Sequence, residues 1–179
     1  MPEGLPVPVD DGAADHLKGV EVPAVRLPSS QGEVDLAELA GGLAVVYVYP
    51  RTGKPGVPSP EGWDATPGAR GCTPQSCAFR DHAAELASLG ARVVGLSAQP
   101  LADQVEFAER EHIPYPVVSD ERLQLAEAIG LPTFEIAGLR LYKRLTFVAR
   151  AGRIEHVFYP VFPPDRNAGD VVSWLGANA

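Results

Sequence analysis

The longest apolar run is Leu43 to Tyr49, LAVVYVY. With no polar residue alternating into it, the run predicts a central strand buried on both faces. At seven residues it is far short of the roughly 20 that a membrane span requires. Before it, Asp35 to Ala40 reads as a short helix with Asp35 as N-cap and Gly41-Gly42 as its stop. Residues 1 to about 33 read as a proline- and charge-rich stretch with a short hairpin near Val20 to Leu27. After it, Phe79, Ala83, Leu86 and Ala87 recur at helical spacing, which predicts one helix from about Pro74 to Leu89, stopped by Gly90. Ala91 to Ser97 reads as a second strand. Leu101 to His112 follows as a helix with Leu101, Val105 and Ala108 on one face. Pro116 to Val118 is a short strand and Glu121 to Ile129 a helix ended by Gly130. Leu141 to Ala149 and Ile154 to Tyr159 form a hairpin through Ala151-Gly152, and residues 168 to 176 are a last helix.

Strand, helix, strand, helix, then a hairpin and a helix is an α/β order: a central mixed β-sheet flanked by helices, in the thioredoxin-like sequence of elements. A chain of 179 residues fits one domain, expected over residues 20–179 behind an N-terminal arm of residues 1–19. Fifteen Lys and Arg against 23 Asp and Glu leave a net charge of −8. That balance argues against binding nucleic acid or docking on an anionic membrane. Met1 to Asp15 carries four acidic residues and no Lys or Arg, unlike a secretory leader, so a cytoplasmic location is expected. Gly and Pro, 18 of each, crowd into Pro50 to Gly71. An irregular loop longer than about 15 residues is usually functional or disordered.

The chain has two cysteines, Cys72 and Cys77. Cys72 stands where the long loop meets a helix start, where free N–H groups and the helix dipole favour an anion and lower a thiol pKa from about 8.5 to between about 3.5 and 7.5. Cys72 is therefore placed to react as a thiolate. The plainer reading is two small buried hydrophobes, against which the position at a helix start and the short spacing weigh. On a continuous helix, residues five apart lie about 8.6 Å from each other on nearly opposite sides, whereas a disulfide spans roughly 4.4 to 6.8 Å between Cα atoms. If Cys72 and Cys77 pair, the first helical turn must unwind, which suits a transient bond better than a structural one. The spacing is not C-x-x-C, and two cysteines, even with His82 nearby, are too few for a zinc site. Gly53-Lys54 lacks the rest of a phosphate loop, and Gln99 stands where a nucleophile elbow after Ser97 needs glycine. No dinucleotide fingerprint appears and no cofactor is expected. His16, His112 and His156 read as surface or hydrogen-bonded structural residues.

The stretch Gly71-Cys72-Thr73-Pro74-Gln75-Ser76-Cys77-Ala78-Phe79-Arg80-Asp81 resembles the active-site segment of the Q-type peroxiredoxins, the bacterioferritin-comigratory-protein branch, whose pattern is G-C-T-x-E-x-C-x-F-R-D. Val45 to Tyr49 followed by Pro50, Val94 to Ser97, Ser119-Asp120 and Arg144-Leu145-Thr146-Phe147 match in order. The resemblance implies a thioredoxin-like fold and a peroxidase in which Cys72 attacks a peroxide and becomes a sulfenic acid. It implies further that Cys77 resolves this as a disulfide, that Arg144 holds the thiolate and the developing charge, and that thioredoxin or a similar dithiol reduces the bridge. Two positions depart from the pattern. Ala69 replaces the threonine three residues before the reactive cysteine, leaving Thr66, Thr52 or backbone N–H groups to orient a peroxide. Gln75 replaces the usual glutamate, and Arg70 adds a positive charge just upstream. Trp63, Val57 and the loop prolines either wall an apolar mouth or cover the helix. Two competing readings use the same cysteines: a thiol-disulfide oxidoreductase, which would reduce disulfides without consuming peroxide, and a non-enzymatic redox sensor, which would oxidise once and release a partner.

Overall fold

The computed structural model describes residues 1–179. Its centre is strand β3 (Leu43–Val48), whose alternating side chains divide the interior in two. Val45, Tyr47 and Tyr49 enter one apolar cluster with Phe79, Leu86 and Phe107, while Ala44, Val46 and Val48 enter another with Leu36, Leu125 and Phe147. Both faces are covered, which is why the run shows no polar alternation. On one side of β3 lie β4 (Ala91–Ser97) and then β5 (Val117–Ser119), both parallel. On the other lie β8 (Leu145–Arg150) and β9 (Arg153–Phe158), antiparallel. The hairpin of β1 (Arg26–Ser29) and β2 (Gly32–Asp35) adds to the β5 edge, completing a seven-stranded mixed sheet in the order β2-β1-β5-β4-β3-β8-β9.

Helices α1 (Leu36–Gly41) and α5 (Gln124–Ile129) supply one cluster. Helices α2 (Cys72–Asp81), α3 (Ala83–Ser88), α4 (Leu101–Arg110) and α6 (Asn167–Ala177) contribute to the other. Asp35 caps α1 as expected, accepting from Ala37 and Glu38 N–H at 3.0 and 3.1 Å. Tyr47 stacks on Phe79 with 4.4 Å between ring centroids, and its hydroxyl lies 2.6 Å from where a Cβ on Gly95 would be. Glycine in β4 is thus demanded by the tyrosine beside it. No helix is long and apolar enough to cross a membrane.

The thioredoxin-like order stands, with local corrections. The hairpin expected near Val20 to Leu27 forms later, in β1 and β2, because Val20 and Val22 instead hydrogen-bond Ile154 and Gly152 at the start of β9. The helix expected from Pro74 to Leu89 starts at Cys72 and breaks at His82 into α2 and α3. Phe79 and Leu86 are both fully buried across that break, so the apolar period continues through it and reads as one helix. The strand expected over Leu141 to Ala149 is two strands. Its beginning belongs to β7 (Leu139–Tyr142), which pairs with β6 (Thr133–Ile136) as a separate hairpin turning at Ala137-Gly138, both at positive φ. Against this hairpin pack Trp63 and Ala69, so it seats the long loop. Ala14 and Leu17 of the N-terminal stretch are buried in the α1 and α5 cluster.

Asp120 is fully buried and accepts from Gln124 N–H at 2.8 Å, Leu125 N–H at 3.1 Å and the Tyr142 hydroxyl at 2.5 Å. It caps α5 and ties that helix to β7. Asp120→Ala strands the phenol and two amides, so urea unfolding should show a loss of about 2–4 kcal/mol, against about 1–2 kcal/mol for Tyr142→Phe.

Candidate active site

Cys72 is the first residue of α2, and Gly71 is its cap, at φ 111° with no side-chain cap bond. A Cβ on Gly71 would lie 2.7 Å from Pro164 Cγ and 2.9 Å from Met1 Cε, so both the backbone conformation and the space require glycine. The loop thereby turns sharply and delivers Cys72 to the helix start. Cys72 is a buried free thiol. Its Sγ donates to Ala69 O at 3.6 Å and accepts from Arg144 Nη2 at 3.1 Å.

Arg144 immediately precedes β8 and is 4% exposed. Its Nη2 also faces the carbonyls of Gly68, Ala69 and Arg70 at 3.2, 3.1 and 3.3 Å, and its Nη1 donates to Gln75 Oε1 at 2.5 Å. Gln75 Nε2 donates to Asn167 Oδ1 at 3.0 Å, and Thr146 Oγ1 donates to the same oxygen at 2.6 Å. One polar chain thus runs from sulfur through guanidinium and amide to the start of α6. No carboxylate lies within ion-pair range of Arg144, and its Nε has no partner. The cation is fixed, dehydrated and aimed at sulfur, an arrangement that stabilises negative charge there and on an atom bonded to it.

The structure thus brings Arg144 to Cys72. Neither candidate threonine joins them: Thr66 Oγ1 donates to Gly62 O at 2.9 Å, and Thr52 Oγ1 is buried against Gln99 Oε1 at 3.3 Å. Where a threonine hydroxyl was looked for, Ala69 offers its carbonyl. Arg70 pairs with Asp64 at 3.1 Å rather than with sulfur. Asn167 escaped the sequence reading altogether, since a lone asparagine before a helix is an ordinary start signal. Thr146 sits inside the quoted Arg144 to Phe147 motif and was legible as part of it.

Cys77 lies on the same unbroken helix, so the separation derived for a regular helix applies and the two thiols are unpaired. Its Sγ donates to Glu111 Oε2 at 3.5 Å. Burial pushes the Cys77 thiol pKa up; Arg80 opposes this, and the Glu111 carboxylate adds to it. Arg80 Nη1 donates to Glu111 O at 2.7 Å, and the Tyr115 hydroxyl donates to Ser76 O at 3.0 Å. These bonds hold α2 from Ser76 onward against the end of α4 and the segment leading into β5. Two cavities flank the loop at Gly68 to Arg70. One, about 360 Å³, opens over Cys72 between Trp63, Arg70, Thr73 and Met1. The other, about 370 Å³, adjoins Arg144 between Phe134, Thr66 and Tyr159. Val57 lines neither and is exposed.

The redoxin family profile matches residues 17–172. Peroxiredoxin Bcp of Escherichia coli K12 is 32% identical over 162 residues, covering 88% of this chain and 94% of the relative. Chloroplastic peroxiredoxin Q of Gentiana triflora is 28% identical over 97% of this chain and 76% of the relative. Against the putative chloroplastic peroxiredoxin Q of indica rice, this chain spans 66% of the relative's length. Among solved structures, peroxidoxin BcpB of Mycobacterium tuberculosis superposes with a TM-score of 0.74 at 30% identity, covering 92% of this chain and 99% of the other. The bacterioferritin comigratory protein of Xanthomonas campestris superposes at 0.70 with 23% identity, a likeness of fold.

The Glu111 carboxylate adds to the upward shift of the Cys77 thiol, so Glu111→Gln should move the pH profile of Cys77 alkylation to lower pH. In a Cys72→Ser background, iodoacetamide labelling followed by mass spectrometry should show faster modification at pH 8 in the glutamine variant. An unchanged profile would mean that the carboxylate does not act on the thiol.

Proposed function

The chain belongs to the redoxin family and, within it, to the peroxiredoxins of the Q and Bcp kind, and from that premise we propose that it is a thiol-dependent peroxidase with Cys72 as its nucleophile. The observation that carries this reading is the 3.1 Å contact between Arg144 Nη2 and Cys72 Sγ at the start of α2. The Cys72 thiolate attacks one oxygen of hydrogen peroxide or an organic hydroperoxide. The O–O bond breaks, the other oxygen leaves as water or alcohol with a proton, and sulfur becomes a sulfenic acid. Negative charge passes from sulfur to the departing oxygen, within reach of the Arg144 fork. With Ala69 in the threonine position, the groups left to orient the peroxide are Arg144 and the N–H groups of Cys72 and Thr73. Neither amide has an intrahelical partner at a helix start, and Pro74 has no N–H to offer.

Cys77 then attacks the sulfenic sulfur, forming the Cys72–Cys77 disulfide and releasing water. The step requires the first turn of α2 to open. Thioredoxin or a similar dithiol restores both thiols by exchange. A reducing cytoplasm is the setting in which that exchange runs forward.

The test is direct. Reduced protein should consume hydrogen peroxide and cumene hydroperoxide in a coupled thioredoxin assay, and Cys72→Ser should abolish both. After one equivalent of peroxide, the tryptic peptide Gly71 to Arg80, which contains both cysteines, should be lighter by two hydrogens. Persistent free Cys77 would remove its resolving role. Arg144→Gln should lower kcat/KM for hydrogen peroxide about 10²- to 10³-fold, as removal of a preorganised charged donor does.

A further inference from the structure

Residues 1–16 precede the segment matched by the redoxin profile, yet the first eleven run along the active-site end of the molecule. Met1 and Pro2 line the cavity that opens over Cys72, and Met1 Cε approaches within 2.9 Å of where a Gly71 Cβ would stand. Farther along, Pro8 and Val9 line the cavity beside Arg144. Pro8 Cβ is 3.6 Å from where a Gly68 Cβ would be, so the arm rests on the backbone of the loop whose carbonyls hold Arg144.

Asp11 pins the arm. Its carboxylate accepts from Lys143 Nζ at 2.7 Å and from the Tyr159 hydroxyl at 2.7 Å, and these two bonds hold its pKa far below the usual carboxylate range. Lys143 directly precedes Arg144, so the pin is attached to the link between β7 and β8 that carries the catalytic guanidinium. Met1 and Val9 are 41% and 81% exposed, so the arm keeps apolar side chains open to solvent at the active-site end.

The mouth cavity, about 360 Å³, lies within the roughly 300–1,000 Å³ typical of small-molecule pockets, and is far larger than hydrogen peroxide requires. Trp63 and Pro74 give it apolar wall on the loop and helix side, and Met1 and Pro2 complete it from the arm. We propose that residues 1–11 are a specificity-determining wall of the peroxide site, holding the organic group of a bulky hydroperoxide while its O–O bond lies at Cys72. Hydrogen peroxide has no such group and gains nothing from the arm. The proposal rests on the peroxidase reading above.

The test compares steady-state kinetics with cumene hydroperoxide and hydrogen peroxide for the full chain, for a chain lacking residues 2–9, and for Asp11→Asn. The deletion should raise KM for cumene hydroperoxide about tenfold, the low end of what one apolar contact in a pocket contributes to discrimination. Its kcat, and kcat/KM for hydrogen peroxide, should stay within about twofold. Asp11→Asn keeps the arm at full length but removes the charge that pins it to Lys143, and should shift KM the same way by a smaller factor. A ratio of the two kcat/KM values unchanged in both variants overturns the proposal, as does faster turnover of cumene hydroperoxide after deletion, which would make the arm an obstacle. Should the deletion impair folding, read by far-UV circular dichroism, the substrate ratio of Asp11→Asn decides. Inactivity of the full chain toward both peroxides would instead sink the peroxidase reading itself.

Discussion

The buried guanidinium of Arg144, with no carboxylate beside it, is the constraint around which the active-site end is arranged. Removing a cation from water costs several kcal/mol even after relaxation. The compensation here comes from carbonyls of Gly68, Ala69 and Arg70, from Gln75 and from the sulfur of Cys72. Neutral dipoles offset desolvation without neutralising the charge. The one partner in the set that can become an anion is Cys72. Gln75 matters for this reason, since a glutamate there would place a permanent counter-ion on Arg144 in competition with sulfur. The amide keeps the hydrogen bond and leaves the charge uncommitted.

Meeting that constraint is a task for the whole sheet. Because β8 runs antiparallel to β3 with Leu145 opposite Val48, Arg144 falls just past the carboxyl end of β3. The chain leaving β3 enters the long loop there and returns as α2, so the cation and the Cys72 thiol meet beyond the carboxyl ends of the parallel strands, where open α/β sheets place their ligands. The loop must bring three consecutive carbonyls to Arg144, and irregular backbone holds such a shape only when packed against something. The β6 and β7 hairpin supplies the support, with Leu141 against Trp63 and Ala69.

What the sequence revealed follows from how local each signal is. Cys72 announces itself because a loop rich in Gly and Pro ends in a helix start within a few residues. Arg144 became legible only through the resemblance of Arg144-Leu145-Thr146-Phe147 to a family motif. Asn167 and Glu111 are not legible: each acts through a contact with α2 from an element far along the chain, Gln75 to Asn167 and Cys77 to Glu111, and no local pattern records that distance. The β6 and β7 hairpin was legible in principle. Its turn is Ala137-Gly138, the same dipeptide as the Ala151-Gly152 turn of the other hairpin, but the strand-like residues on both sides of Lys143-Arg144 mask the change of sheet there. The break at His82 hid for the opposite reason, since the burial period runs straight through it.

The bonds along α2 are unequally placed. From Ser76 onward it is fastened by Tyr115 to Ser76 O and by Arg80 to Glu111 O, neither of which involves a reacting atom. Its first turn is held through Arg144 to Cys72 Sγ, Arg144 to Gln75 and Gln75 to Asn167, with no side-chain cap at Gly71, so the reacting sulfur is itself one of its anchors. In the peroxidase reading this asymmetry has a chemical consequence. Conversion of a thiolate to a sulfenic acid removes the anion from sulfur, and the hydrogen bond from Arg144 changes from one between opposite charges to one from a cation onto a neutral group, which loses the attraction between the two charges. The grip on the first turn therefore weakens when Cys72 has been oxidised, which is when that turn must open to let Cys77 approach. The interaction that holds the nucleophile ready is the one the reaction spends, so the opening of the helix is tied to the oxidation state of Cys72 without any second switch.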